Sequence, residues 1–244
     1  TFFSELGAEI IVSEDTNKSI LDAGVKYCVD DACLPVKVFH GHVDSIKDKC
    51  DVMVIPRIMQ LWKNEYICPK FCGLPEMVIN SIDKLPLTIT EPIYATSKKK
   101  LYAWAKTSGK FLSKNNYQIK RAFINALKAQ ENYETGIDDS GYEINAALIG
   151  HPYNIYDSYL NMNLINKMNS LGMGVKTAEF TGEDILYREA ENLYKRPFWT
   201  FVRENYGFAV SAARGKTADG IIYVSSFNCG TDSVIIELIK NTVP

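Results

Sequence analysis

Six cysteines, Cys28, Cys33, Cys50, Cys68, Cys72 and Cys229, are the side chains in these 244 residues with the clearest capacity for metal or redox chemistry. A deprotonated thiol is both nucleophile and soft-metal ligand, so its surroundings decide what it can do. Cys33 stands directly before Leu34-Pro35, and proline suits the first turn of a helix. Cys229 lies in Phe227-Asn228-Cys229-Gly230-Thr231-Asp232, between a strand pattern and the closing helix. Both thiols therefore fall near helix N-termini, where backbone N–H groups and the helix dipole favour a thiolate and an anionic cluster. Cys68 sits in Glu65-Tyr66-Ile67-Cys68-Pro69-Lys70-Phe71-Cys72-Gly73-Leu74-Pro75, a loop rich in Pro and Gly that follows Pro56-Arg57 and a strand end. Open α/β sheets gather ligand sites at the carboxyl ends of their strands. Spacing does not choose the metal, because Cys28-x4-Cys33 and Cys68-x3-Cys72 match neither ferredoxin runs nor a paired C-x-x-C zinc ribbon. Residue pattern alone leaves two readings open, metal ligands or small buried apolar residues. Cys50, at the end of a charged helix tail, belongs with the second.

Other motifs carry less. His40 and His42 flank Gly41 on an expected helix and point to different faces, which disfavours a shared metal. There are only three histidines and no His-x-x-x-His pair, which argues against a histidine zinc site. Gly215-Lys216-Thr217 ends like a P-loop but lacks the first glycine and the preceding strand. Gly172-Met173-Gly174 reads as a helix C-cap rather than a dinucleotide fingerprint. Between Lys98 and Arg121 there are eight basic residues and no acidic one. Such a run is first a solvated helical face, and second a docking surface for an acidic partner or for the phosphates of a ligand such as coenzyme A.

The elements that must position these residues alternate in type. Strands are expected over 8–13, 51–55, 87–89, 144–150, 174–179 and 220–225. Helices are expected over 17–23 (ended by Gly24), 34–47, 78–83, 157–171, 183–194, 198–213 and 232–240. Residues 98–133 read as a helical pair broken near 113–116. Strands alternating with helices imply parallel sheets covered on both faces. The expected architecture is α/β, two Rossmann-like lobes joined by a helical segment, with boundaries at 1–95, 96–140 and 141–244.

Hydrophobic residues make up 46% and charged residues 23% of the chain, and the formal net charge is −2. That balance gives no reason to expect nucleic-acid binding, and charged or amide residues interrupt every apolar run before it could span a bilayer. The N-terminus lacks the features of a signal peptide, so a cytoplasmic, reducing compartment is expected, where clustered cysteines read as metal or redox groups before disulfides. The missing initiator Met reads as processing or excision from something longer.

Four ordered segments carry a resemblance. Cys33-Leu34-Pro35-Val36-Lys37 with His40-Gly41-His42, and Glu65-Tyr66-Ile67-Cys68-Pro69-Lys70, are the first two. Gly150-His151-Pro152-Tyr153-Asn154-Ile155-Tyr156-Asp157 and Phe227-Asn228-Cys229-Gly230 complete the set. Together they resemble the 2-hydroxyacyl-CoA dehydratase activase-related proteins, a domain found alone or behind an activase ATPase, and similar to dehydratase subunits and double-cubane cluster proteins. The resemblance implies α/β lobes and an iron–sulfur cluster, 4Fe–4S or double cubane, held by Cys33, Cys68 and Cys229, with Cys72 a candidate for an extra ligand. It implies an activase ATPase as partner, in trans or fused, which donates a low-potential electron driven by ATP hydrolysis. In the dehydratases that electron reaches an acyl-CoA thioester and forms a ketyl radical. Glu65, Tyr66, His151 and Tyr153 are the candidate catalytic groups, and Arg57 joins them around the cluster or substrate; the alternative for each is a structural role, such as an arginine capping a strand end or a tyrosine packed on the core. A homodimer is a further expectation, as is a domain fragment, since relatives have a strand before the position of Thr1 and an acidic tail after Pro244. The competing expectation is a non-catalytic domain that docks an activase, its cysteines zinc-bound or metal-free. A third is a two-lobed small-molecule binding protein without a metal.

Overall fold

A computed structural model describes residues 1–112 and 114–243, which divide into two compact units. The first comprises Thr1–Asp30 and Val36–Glu134, and the second comprises Asp31–Pro35 and Thr135–Pro244. Each contains parallel strands and helices, so the chain is α/β.

The first unit opens with α1 (Phe2–Glu5), α2 (Lys18–Val25) and, from Val36 onward, α3, which spans Leu34–Ile46 and begins immediately after Cys33. Asn17 caps α2 by accepting from the Ile20 N–H at 3.1 Å, satisfying one of the donors a helix start leaves open. Gly24 does not end α2. It lies inside the helix and allows a close crossing with α3: a Cβ there would stand 1.8 Å from the Lys37 carbonyl oxygen. Gly41 is the reciprocal contact, since its Cβ would stand 1.9 Å from the Ile20 carbonyl oxygen. His40-Gly41-His42 is thereby accounted for within α3, with His40 buried on the Val36 carbonyl (2.8 Å) and His42 bonded to Thr16 (3.0 Å).

Strands β1 (Val52–Val54) and β2 (Arg57–Gln60) follow on either side of Pro56. Next come α4 (Pro69–Cys72), α5 (Leu74–Ser81), β3 (Leu87–Ile89) and β4 (Pro92–Tyr94). Strand β1 pairs with β3, and β2 with β4, both in parallel. The helix expected over 78–83 starts earlier, because Pro75 in the first turn of α5 preorganises it. Helices α6 (Lys98–Lys110) and α7 (Asn116–Glu131) form the expected pair. The break between them includes Ser113, outside the described residues, and a capping box formed by Asn115 and Gln118 starts α7.

The strand expected over 8–13 does not form. Ile10, Ile11 and Val12 are 49, 42 and 78% exposed, and no described strand pairs with them. A β-branched run supplies the propensity for a strand but not the neighbour that a strand requires.

In the second unit the sheet order is β6–β5–β7, all parallel, with β5 spanning Ile144–Gly150, β6 Met173–Lys176 and β7 Gly220–Val224. Side chains alternate across central β5. Ala147 and Ile149 pack against Leu186 and Ala190 of α10 (Glu183–Ala190), Tyr206 and Ala209 of α11 (Thr200–Gly215), and Ile235 and Ile239 of α12 (Gly230–Thr242). Ala146 and Leu148 face the other way, with Ile155 of α8 (Pro152–Ile155), Met168 of α9 (Leu164–Ser170) and Val175 of β6. Helices thus cover both faces, as a parallel sheet needs. The single helix expected over 157–171 is interrupted. Met162 and Asn163 adopt left-handed backbone, φ 55° and 57°. The side chains of Asp157 and Asn161 take backbone N–H groups that a continuous helix would use itself. Lys216, in the P-loop-like stretch, is the left-handed cap that ends α11. Among the described residues, no helix is long and apolar enough to cross a membrane.

Candidate functional site

The two polar strand ends of the second unit lie side by side. Strand β5 ends at Gly150, paired with Val224 at the end of β7. A Cβ on Gly150 would stand 2.4 Å from the Val224 carbonyl oxygen, so only glycine permits this approach. His151 follows as the residue before α8, and Cys229 follows β7 as the N-cap of α12. Both residues are therefore delivered at the carboxyl edge of a parallel sheet, where open α/β folds place their sites.

His151 Nε2 lies 3.1 Å from Asp232 Oδ1 and 3.9 Å from Cys229 Sγ. The ring is 97% buried, stacked on Tyr153 (centroids 5.0 Å apart, 6° between planes) and met edge-on by Phe201 at 5.3 Å. Its Nδ1 has no hydrogen-bond partner among the described residues. The Asp232 carboxylate, in the first turn of α12, also accepts from Tyr223 Oη on Oδ1 (2.9 Å) and from Ser225 Oγ on Oδ2 (2.8 Å). Asn205 of α11 donates to Tyr223 Oη at 3.1 Å. Thr231 Oγ1 lies 3.3 Å from Cys229 Sγ.

The electrostatics follow from this geometry. Burial pulls the His151 imidazolium down, but hydrogen bonds to Asp232 and Cys229, and the charges of both, outweigh it and push the group up to about 9. Burial raises Asp232, yet His151, Ser225 and Tyr223 together hold its carboxyl below the usual range. Burial likewise raises the Cys229 thiol, but His151, Thr231 and the Asp232 backbone N–H bring it below its ordinary value. Cys229 is thus held toward the thiolate, next to a cation and at the start of a thirteen-residue helix.

Of the residues singled out in the sequence, Cys229, His151 and Tyr153 come together here, and Cys33 belongs to the same unit. Cys33 is buried and precedes α3 directly. In the first unit, Cys68 is the N-cap of the four-residue α4. Cys72 follows within that helix, its N–H on the Cys68 carbonyl (3.1 Å) and its thiol donating to the Ile67 carbonyl at 3.4 Å. Burial, then the nearby Cys68, push the Cys72 thiol up. Glu65 is fully buried and Tyr66 half-buried in the loop before Cys68, and Arg57 of β2 is ion-paired with Glu76 of α5. No two of the six cysteines, all among the described residues, are joined by a disulfide.

Asp232, Tyr223 and Ser225 were not anticipated as site residues. Asp232 is the third residue after Cys229 at a helix start, where a carboxylate is favoured, and this signal was available in the sequence. Tyr223 and Ser225 are two apart at the end of a strand, so they reach the same carboxylate. The His–Cys–Asp group contains a single sulfur and is not by itself the donor set of an iron–sulfur cluster, which is held chiefly by thiolates. Cys33, Cys68 and Cys229, each the residue before a helix, have the donor chemistry such a cluster takes.

No curated protein and no solved structure matches the chain. Residues 1–180 match the family model described as a CoA enzyme activase uncharacterised domain, which takes in Cys33, Cys68 and His151, and the chain belongs to that family.

Proposed function

We propose that this chain is the iron–sulfur-binding component of an ATP-driven acyl-CoA dehydratase or reductase system, receiving low-potential electrons from an activase ATPase in the cytoplasm. The observation that carries this reading is the placement of Cys33, Cys68 and Cys229, each immediately before a helix, in a chain of the activase-associated family. Two of those helices, α3 and α12, are thirteen residues long, enough for their N-termini to favour thiolate. Cys33, Cys68 and Cys229 would hold the cluster. A cubane with three protein thiolates supplies one-electron chemistry and keeps one iron open to a ligand. His151 places a hydrogen-bond donor and a positive charge next to Cys229, and Asp232 fixes the ring.

Anaerobic purification, or reconstitution with iron and sulfide, tests the reading. The expected product is brown, with about four irons per cubane. Cys33→Ser, Cys68→Ser and Cys229→Ser each lose the colour and the iron, while Cys50→Ser keeps both. Circular dichroism confirms that the variants remain folded. A colourless, iron-free wild-type protein after reconstitution overturns the proposal.

A further inference from the structure

We infer that His151 Nε2, Cys229 Sγ and Asp232 Oδ1 form a mononuclear site for a divalent transition-metal ion of the zinc class. The three donor atoms lie within 4.8 Å of one another. A tetrahedral zinc ion, with bonds of about 2.0 Å to nitrogen or oxygen and about 2.3 Å to sulfur, separates its donors by roughly 3.3–3.6 Å. Two of the three separations here, 3.1 Å from nitrogen to oxygen and 3.9 Å from nitrogen to sulfur, straddle that range, and the third, sulfur to oxygen, is at most 4.8 Å.

The bonding pattern points the same way. One Nε2–H is shared between the carboxylate at 3.1 Å and the sulfur at 3.9 Å. A cation at the same place serves all three donors at once. A thiolate and a carboxylate with a neutral imidazole carry two negative charges, which a divalent ion balances in a region that is otherwise largely buried.

The carboxylate donor is also held as a metal ligand is held. Ser225 fixes the second carboxylate oxygen of Asp232, Tyr223 bonds the ligating one, and Asn205 positions Tyr223. Tyr153 and Phe201 fix the plane of the imidazole. Cys229 is the N-cap and Asp232 lies in the first turn of the same helix, so their spacing is set by its backbone. Three protein donors leave a fourth position, and Cys229 is only half-buried, so water or a small ligand can complete the shell. The site shares Cys229 with the proposed cluster. One thiolate serves one occupant at a time, and the remaining donors differ: His151 and Asp232 here, Cys33 and Cys68 there.

That difference supplies the test. The full chain, handled anaerobically and freed of metal with a chelator, is titrated with Co2+ and then competed with Zn2+. The expected result is one Co2+ per chain, with the visible bands of a tetrahedral ion and a sulfur-to-cobalt charge-transfer band. His151→Gln and Asp232→Asn each weaken binding at least about tenfold, while Cys33→Ser and Cys68→Ser leave it unchanged. X-ray absorption of the zinc-loaded, unsubstituted chain counts one sulfur per zinc, which decides the matter even if a variant fails to fold. Absence of binding, two or more sulfurs around zinc, or loss of binding in Cys33→Ser or Cys68→Ser overturns the inference and leaves a hydrogen-bonded network at the start of α12. Failure of iron–sulfur reconstitution does not alter this titration, so the two proposals fail separately.

Discussion

The carboxylate of Asp232 gathers the polar contacts of the second unit, accepting from His151, Tyr223 and Ser225 while only 1% exposed. A buried carboxylate so bonded is sensitive to each partner, because a lost donor cannot be replaced by water. Tyr223→Phe removes one hydrogen bond from Asp232 and strands the Asn205 amide at almost constant volume. The variant is expected to lose about 1–3 kcal/mol of stability, read as a lower urea midpoint with unchanged m-value. At this scale the sequence was partly legible. Cys229 and His151 could be singled out from their segments, but that they meet could not, since 78 positions separate them and only the pairing of β5 with β7 joins them. Histidine spacing along the chain is silent about such a meeting.

Among the elements, α2 and α3 show how a local signal can be read correctly and assigned the wrong cause. Gly24 was legible as special, but it serves a helix crossing rather than a helix end. Gly41→Ala drives a methyl into the Ile20 carbonyl and forces α2 away from α3, with an expected cost of at least about 2 kcal/mol in thermal or urea unfolding. A substitution at exposed Val12 is expected to stay within about 0.5 kcal/mol and serves as the control. Helices α3, α6, α7, α11 and α12, together with strands β3 and β5, follow from periodicity and punctuation to within a few residues. The segments that escaped are the ones where a tertiary partner decides: residues 8–13 lack a neighbouring strand among the described residues, and 157–171 is divided by side chains that compete for its backbone.

For the whole molecule, the alternation of strand and helix was enough to specify an α/β fold with parallel sheets. It could not reveal that Asp31–Pro35 groups with the second unit, because five residues carry no periodicity of their own. Protection from hydrogen exchange should follow the packing. Amides of β5 at 146 and 147, paired on both edges and covered on both faces, are expected to exchange slowest in the second unit. Those of residues 8–17, outside any strand or helix, are expected to exchange within seconds to minutes, as peptide-resolved mass spectrometry would show.

The detour of Asp31–Pro35 also bears on how such a chain can be inherited. A segment copied or recombined from residue 135 onward would leave behind the stretch that holds Cys33. One copied as residues 1–180, the span of the family match, would take β5 and β6 but lose β7 and α12, and with them Cys229 and Asp232. No single crossover between residues 36 and 134 delivers the second unit intact.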